Sequence, residues 1–199
     1  MALYPSAGYR RLSIASGGVD DFMRYFEELR TRWIKVEFLQ EYDESGFSGY
    51  EAFKKGNHAE AERLVKDMVR GQRRIYSHAR KYDVSMTRIR VYQLPLSNYL
   101  THYEFAAYLA DIECGEDIRF LDSSEVSEIL TGTRISDFVV FDDKKVITLI
   151  YDLETRSLRE ARLIEHPDLV RRYTNIADQF IEKSIPMLES PAYLNSVSV

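Results

Sequence analysis

Two arginines, Arg88 and Arg90, stand one residue apart in the stretch RIRVYQLP. Because side chains alternate between the two faces of a β-strand, both guanidiniums lie on the same face if this stretch is a strand. Two guanidiniums on one face could bind a carboxylate or a phosphate through paired hydrogen bonds. The spacing is therefore compatible with a site for a small anionic ligand.

Aromatic and acidic side chains follow in the next predicted helix, at Tyr99, His102, Tyr103 and Glu104. Residues three or four positions apart share a helical face, so these groups can converge with the arginines in one corner. One hypothesis is a non-enzymatic module that binds an anionic ligand or a partner protein there. The alternative is an enzyme of specialised metabolism that uses Glu104 or His102 as general acid or base, while the arginines hold an anionic substrate.

The same charges could also serve only to hold the fold together. Arg88 and Arg90 could pair with acids such as Glu104, Glu116 and Asp117, and such ion pairs would fix the sheet without a ligand. The sequence leaves this third interpretation open. The candidate ligand-binding residues are Arg88, Arg90, Tyr99, His102, Tyr103, Glu104, Glu116 and Arg119.

Other reactive side chains stand in less favourable positions. Cys114 is predicted near a helix C-terminus, where the helix dipole disfavours a thiolate, so a catalytic cysteine is not expected. Asp137, Asp142 and Asp143 could bind a cation such as Mg²⁺, but aspartate is also a preferred turn residue, and we favour the turn. Standard nucleotide-binding, hydrolase and metalloprotease motifs are missing, so neither a metal nor a cofactor is expected.

Composition narrows the class of protein. The chain has 199 residues, 45% of them hydrophobic and 30% charged, which suits one soluble globular domain. A net charge of −5 gives no bulk attraction to nucleic acid, so direct nucleic-acid binding is not expected. The single cysteine, the lack of a signal-peptide pattern and the lack of a long apolar run predict a cytoplasmic protein without a membrane span. The sequence does not specify an oligomeric state.

The pattern of apolar residues predicts the elements that must position these groups. Residues 1–18 are expected to be a loose arm and residues 19–199 a single domain. A first predicted helix begins near Asp20, and a second covers residues 57–81. A third runs from a Ser97 cap to Glu113, with Gly115 as its closing residue, and a fourth begins at Pro167. The predicted strands are WIKVEFLQEY, MTRIRVY, DIRFL, a pair joined around residues 142–144, and SLREARLI.

This order of elements predicts an α+β fold. We expect a single domain with a mixed, mostly antiparallel sheet flanked by helices, and a mainly helical N-terminal part.

Several ordered blocks of the chain resemble the DUF6879 family, an actinobacterial-type domain of unknown function. The blocks are RIRVYQLPLSNYLTHYEF, GEDIRFL, SDFVVFDDKKVITLIYD, IPMLESPAY and, upstream, WIKVEFLQEY. The chain departs from the family pattern at Asn98, Cys114, Phe120 and Val139, and the last two replace tryptophans. The matching positions are Arg88, Arg90, Pro95, Ser97, Tyr99, Glu104, Gly115, Glu116, Asp117, Arg119, Asp137, Phe138, Phe141, Asp142 and Asp143.

The resemblance implies a regulatory protein that accompanies a helix-turn-helix regulator, and it implies no catalytic activity. An R-x-R strand followed by a helix is also similar to phospholipase-D-like architecture. The chain has no H-x-K-x₄-D signature, so that chemistry is not expected. We therefore predict a cytoplasmic, regulatory ligand-binding or partner-binding module.

Overall fold

A mixed β-sheet runs through the structure, a computed structural model that describes residues 8–15, 18–19, 22–130 and 135–197. The strands of this part of the chain are β1 (Tyr9–Leu12), β2 (Ile14–Ala15), β3 (Gly18–Val19), β4 (Arg32–Glu37), β5 (Ser85–Tyr92), β6 (Asp117–Asp122), β7 (Asp137–Phe141), β8 (Lys145–Tyr151), β9 (Leu158–Ile164) and β10 (Ile185–Pro186). Eight of them form the sheet in the order β1-β9-β8-β7-β4-β5-β6-β10, while β2 pairs with β3. Neighbours β4, β5 and β6 are parallel, and the other neighbours are antiparallel.

Helices cover both faces of this sheet. The helices of the described residues are α1 (Phe22–Glu28), α2 (Ser48–Lys54), α3 (His58–Gly71), α4 (Arg73–Tyr82), α5 (Phe105–Cys114), α6 (Ser123–Leu130), α7 (Pro167–Lys183) and α8 (Pro191–Val197). A π-helical turn, Leu100–Glu104, leads into α5, and a short 3₁₀ turn, Met187–Glu189, precedes α8. The expected α+β fold with a mixed, mostly antiparallel sheet is therefore confirmed.

Alternation along the strands gives the sheet two apolar cores. On the first face, side chains such as Trp33 and Phe141 pack beneath α1, α3, α4 and α5. On the second face, side chains such as Val36 and Phe138 pack against α6 and α7. Burying each of these large side chains contributes roughly 2 kcal/mol to stability. The central strands are buried on both sides, and any polar side chain there must find a partner inside the protein.

Two local predictions differ from the structure. The helix predicted over residues 57–81 is two helices, because Gln72 leaves helical geometry between α3 and α4. Residues 9–12 belong to the expected loose arm, yet they pair antiparallel with β9 at the edge of the sheet. Four residues are too few for a visible apolar period, which is why the sequence gives no signal for this strand. The rest of that segment lies partly outside the described residues.

Short elements also lie where no element was predicted. Helix α2 follows the DESGFSG stretch, and α6 directly follows β6. Each is less than three turns long, so its apolar stripe contains too few residues to read as a period. Helix α2 packs on α3 and closes one side of the charged region on the first face of the sheet.

Candidate functional site: a cleft on the first face of the sheet

Four charged side chains occupy the centre of the first face. The parallel register of β4 and β5 sets Lys35 beside Arg88 and Glu37 beside Arg90. All four side chains share the face that carries Trp33 on β4, because side chains of the same parity point the same way. The fold therefore places a block of alternating charge inside its larger core.

Arg90 is completely buried, and carboxylates and hydroxyls surround its guanidinium. Its Nη2 lies 3.0 Å from Oε1 of Glu104 and 3.2 Å from Oε2 of Glu37. Its Nε donates to the Tyr108 hydroxyl at 2.6 Å, and Nη1 donates to the Leu39 carbonyl at 2.5 Å. The Tyr108 hydroxyl in turn donates a hydrogen bond to Oε2 of Glu37 at 2.7 Å. Both carboxylates around Arg90 are therefore neutralised from within the protein.

Arg88 is also paired by acidic side chains. Its Nε donates to Oε1 of Glu116 at 2.7 Å, and its Nη1 lies 3.2 Å from Oε1 of Glu37. Its Nη2 lies 3.6 Å from Oδ2 of Asp111. Burial opposes the ionisation of Glu37, but the charges of Lys35, Arg90 and Arg88 together hold the pKa of Glu37 well below its usual range. The two arginines and their acids form a lattice within the protein.

Glu44 is the acid that the lattice does not neutralise. Among the described residues it has no ion-pair partner, and its contacts are the hydroxyls of Tyr99 at 2.8 Å and Tyr103 at 2.9 Å. The Tyr99 hydroxyl also lies 2.9 Å from Oε2 of Glu104. Burial, followed by the charge of Glu104, raises the pKa of Glu44 to about 7.

The geometry around Tyr99 explains where a proton resides. A hydroxyl has one proton to donate, so Tyr99 can donate to only one of the two carboxyl groups. Glu104 faces the Arg90 guanidinium, whereas Glu44 has no cation beside it among the described residues and can carry a proton that it donates to the Tyr99 oxygen. The pair therefore holds either a shared proton or an uncompensated negative charge, depending on pH.

The π-helical turn brings the tyrosines and Glu104 to Glu44. Ser97 begins this helical segment by accepting a hydrogen bond from the Leu100 amide at 3.2 Å, as an N-cap. Inside the wide turn, Tyr99, Tyr103 and Glu104 all reach inward and are buried. Such turns occur frequently at functional sites.

Two further buried acids extend the lattice. Asp111 accepts from the Tyr76 hydroxyl at 2.5 Å, and burial outweighs the nearby Arg88 charge to raise the pKa of Asp111 to about 6. Asp137 accepts a hydrogen bond from the Tyr42 hydroxyl, and burial raises its pKa to about 6. The first face thus contains more buried carboxyl groups than cations.

A cleft of about 280 Å³ opens onto this lattice. Its polar wall includes Lys35, Glu37, Tyr42, Asp43, Glu44, Arg88, Glu104, Asp111 and Tyr151. Its apolar wall consists of Phe47, Val65, Met68, Val69, Ala107 and Leu158. The cleft therefore has one charged side, formed by the sheet, the segment after β4 and the start of α5, and one apolar side, to which α3 contributes Val65, Met68 and Val69.

The structure brings together most of the predicted site residues. Arg88 and Glu104 line the cleft, and Arg90, Tyr99, Tyr103 and Glu116 lie in the lattice behind it. Both guanidiniums are occupied by the protein's own acids. An anion would have to compete with those acids, and pairing of the arginines with Glu104 and Glu116 is what the third interpretation of the sequence predicted.

Two predicted residues lie elsewhere. His102 is exposed on the outer side of the π-helical turn, where its ring lies 4.5 Å from the ring of His58. Arg119 points to the second face, because it alternates with Ile118 and Phe120 of the first-face core. There it donates to the Ser184 hydroxyl at 2.9 Å and pairs with Asp117 at 3.3 Å.

Several central residues were not predicted from the sequence. Lys35 and Glu37 read as the solvent side of a half-buried strand, whereas they face the charged lattice. The one available signal was their charge order, which complements that of Arg88 and Arg90 once β4 and β5 are paired in parallel. Glu44 lies in a stretch that reads as a turn, and only the unusual tyrosine content hinted at its partners.

The remaining candidate groups have structural surroundings. Asp142 and Asp143 form the tip of the β7–β8 hairpin with positive φ angles of 52° and 56°. Asp142 accepts from the Thr31 amide at 2.8 Å, and Asp143 accepts from Arg32 at 2.9 Å. Burial raises the pKa of the Cys114 thiol, which disfavours a thiolate. Across residues 8–15, 18–19, 22–130 and 135–197 no group of three potential metal ligands was found.

Three solved structures are similar to this chain at low sequence identity. A phospholipase D family member, Nuc from Salmonella typhimurium, has 9% identity and a TM-score of 0.52, with 89% of this chain and 96% of that one covered. NucT from Helicobacter pylori has 9% identity and a TM-score of 0.46, with 82% of this chain and 87% of that one covered. The archaeal chromatin protein TrmBL2 has 13% identity and a TM-score of 0.44; 89% of this chain matches 53% of that one, so the chain spans about half of its length.

The sequence itself gives a closer assignment. No curated protein matches the chain significantly. Within the described residues, no helix has both the length and the apolar character needed to cross a bilayer. The family model described as a domain of unknown function (DUF6879) matches residues 20–190, and the chain therefore belongs to the DUF6879 family.

Proposed function

We propose that this protein is a small-molecule-binding module whose ligand occupies the cleft between the charged lattice and α3. The observation that carries the proposal is the cleft itself, about 280 Å³ of space with one charged wall and one apolar wall. Small-molecule sites in proteins combine an apolar lining with a few convergent polar groups in this way. The volume suits a metabolite rather than a large cofactor.

The free-energy cost of burying an unpaired charge favours a ligand site over a lattice that serves only the fold. A structural lattice would be expected to pair each buried charge, because an unpaired one is destabilising. Arg88, Arg90 and Glu37 meet that expectation, but Glu44 does not. A carboxyl group left without a cation beside open space is what a ligand-binding wall requires.

Binding without turnover is the better-supported form of the proposal. Glu104 accepts hydrogen bonds from Arg90 and Tyr99, so its carboxyl oxygens are already engaged within the protein. His102, the other candidate for acid–base chemistry, does not line the cleft. We further propose a regulatory use of this binding in the cytoplasm, for which the support is the resemblance to companions of helix-turn-helix regulators.

A thermal-shift screen of small metabolites tests this proposal, with two variants that differ in position alone. Met68 and Met23 are each 37% exposed on a helix, and only Met68 lines the cleft. Met68→Trp should block the cleft and abolish the rise in Tm caused by a ligand, whereas Met23→Trp should preserve it. Equal shifts in both variants, or no shift from any compound, would contradict the proposal.

A further inference from the structure

We infer that the ligand of the cleft is an organic cation, an ammonium or amidinium group attached to a small apolar body. This inference rests on the proposed function, since it names the ligand class of the same cleft. It departs from the anionic ligand expected from Arg88 and Arg90. The reasons are the pairing of the charges, the identity of the unpaired group and the shape of the space.

The cations of the cleft are already occupied by the protein. Arg88 contacts Glu116 at 2.7 Å and Lys35 contacts Glu37 at 2.6 Å. Arg90 lies behind the wall with no exposed surface. An anionic ligand would have to displace one of these buried acids, and it would then leave that acid without a partner.

The acids of the cleft are in excess. Five carboxyl groups line it, against two cations, Lys35 and Arg88. Glu44 in particular receives only hydroxyl contacts, from Tyr99 and Tyr103. A ligand ammonium at this position would replace the proton that Glu44 shares with Tyr99 and would donate charge-assisted hydrogen bonds.

The remaining surfaces suit the rest of such a ligand. Tyr42 and Tyr151 line the cleft with ring centroids 5.0 Å apart, and tyrosine faces attract cations. Val65 and Val69 of α3 present apolar surface to the same cleft, and Leu158 adds more beside Tyr151, its partner in the sheet. A cationic head against the tyrosines and Glu44, with its body against α3, uses both walls at once.

Three probes of nearly equal shape test the charge of the ligand at pH 8: 2-phenylethylammonium, 2-phenylethanol and 3-phenylpropanoate. Calorimetry and thermal shift should give binding of the ammonium at least tenfold tighter than binding of the alcohol or the carboxylate. Glu44→Gln should weaken ammonium binding at least tenfold. Glu182→Gln, an exposed acid on α7 beyond the second face, should leave it unchanged.

The outcomes separate the two proposals. Equal or tighter binding of 3-phenylpropanoate that Met68→Trp abolishes would overturn the cationic ligand while supporting the cleft as a binding site. Unchanged ammonium affinity in Glu44→Gln would overturn it too. Failure of all three probes overturns the cationic class for a ligand of this size, and the wider metabolite screen then decides separately whether the cleft binds anything.

Discussion

The hydroxyl of Tyr99 lies between the carboxyl groups of Glu44 and Glu104 and has one proton for the two of them. Glu104 pairs with Arg90 at 3.0 Å, whereas Glu44 has no ion-pair partner among the described residues, so we assign the variable proton to Glu44. Lys35 favours ionised Glu44, but burial and Glu104 oppose it more strongly. This residue should therefore make stability depend on pH near neutrality.

Replacing Glu44 by glutamine should remove that dependence. The folded state keeps the Glu44 proton up to a pKa of about 7, while the unfolded chain loses it near the ordinary glutamate pKa of 4.5. Between these values folding binds a proton, so the stability of the wild type falls as pH rises. Glu44→Gln mimics the protonated acid, so it should lie within about 1 kcal/mol of the wild type at pH 5 and exceed it at pH 8 by up to about 3 kcal/mol.

Urea denaturation at both pH values measures this difference. Glu182→Gln is the matched control and should follow the wild type at each pH. A stability gap between Glu44→Gln and the wild type that stays constant from pH 5 to pH 8 would mean that Glu44 is not the titrating group. Asp111 and Asp137, whose pKa values are also raised by burial, contribute to the wild type and the variant alike.

Arg90 should matter to stability far more than an exposed arginine does. Arg90→Ala leaves Glu37 and Glu104 buried without their shared cation, which should cost about 3–5 kcal/mol. Arg171→Ala removes an exposed pair with Asp168 and should cost less than about 0.5 kcal/mol. Chemical denaturation compares the two. Similar losses in both variants would show that the lattice contributes little.

The sequence predicted part of this arrangement at the level of residues. Alternation placed Arg88 and Arg90 on one face, and Glu104 and Glu116 do pair with them. Glu37 and Glu44 could not be recognised, because their positions depend on a parallel strand pairing and on a segment without periodicity. Asp117 was expected to pair with these arginines, but it pairs with Arg119 on the other side of the sheet.

Among the elements, α2 and α3 approach each other closely at Gly49. A Cβ atom there would lie 3.2 Å from Cε2 of Tyr103 and 3.3 Å from the Val65 amide nitrogen. The glycine therefore permits α2 to cover the tyrosines that contact Glu44. Helix propensity alone would favour alanine at this position, so the close packing must account for the glycine.

Gly49→Ala should lower the free energy of unfolding by about 1 kcal/mol, since overpacking outweighs the gain in helix propensity. Gly71 provides a matched control at the end of α3, where a Cβ would meet nothing within 4 Å. Gly71→Ala should leave stability unchanged or raise it by up to about 1 kcal/mol. Thermal unfolding followed by circular dichroism measures both, and a stabilised Gly49→Ala would contradict the close packing.

Elements with a clear apolar period could be predicted from the sequence, whereas elements whose formation or limits depend on neighbouring elements could not. The Ser97 cap, the left-handed Gly115 and the Pro167 start are local signals, and all three occur in the structure. The break at Gln72 has no such signal, because apolar spacing continues through it. The edge strand β1 forms because its backbone pairs with that of β9.

In the whole molecule, one sheet supports both cores. The central strands contribute Trp33 and Phe141 to the first face and Val36 and Phe138 to the second. Loss of these strands would expose both cores together, so the two layers of helices cannot be expected to unfold independently. Cooperative unfolding follows from this shared layer.

Equilibrium unfolding should therefore give one transition by every probe. Trp33 is the only tryptophan and is buried in the first-face core, so its fluorescence reports on that layer. Far-ultraviolet circular dichroism reports on all helices, including α7 of the second face. Coincident midpoints in urea are expected. Separate midpoints would indicate that the layers are independent.

The parallel register of β4 and β5 constrains how the sequence can change over time. Glu37 lies beside Arg90 on the sheet, and Glu104 reaches the same guanidinium from the helix above. Loss of Arg90 leaves Glu104 without its cation, and loss of Glu104 or Glu37 leaves Arg90 with one acid in place of two. Across the family, positions 37, 90 and 104 should therefore change together or stay fixed together, as a single inherited unit spread over three distant parts of the chain.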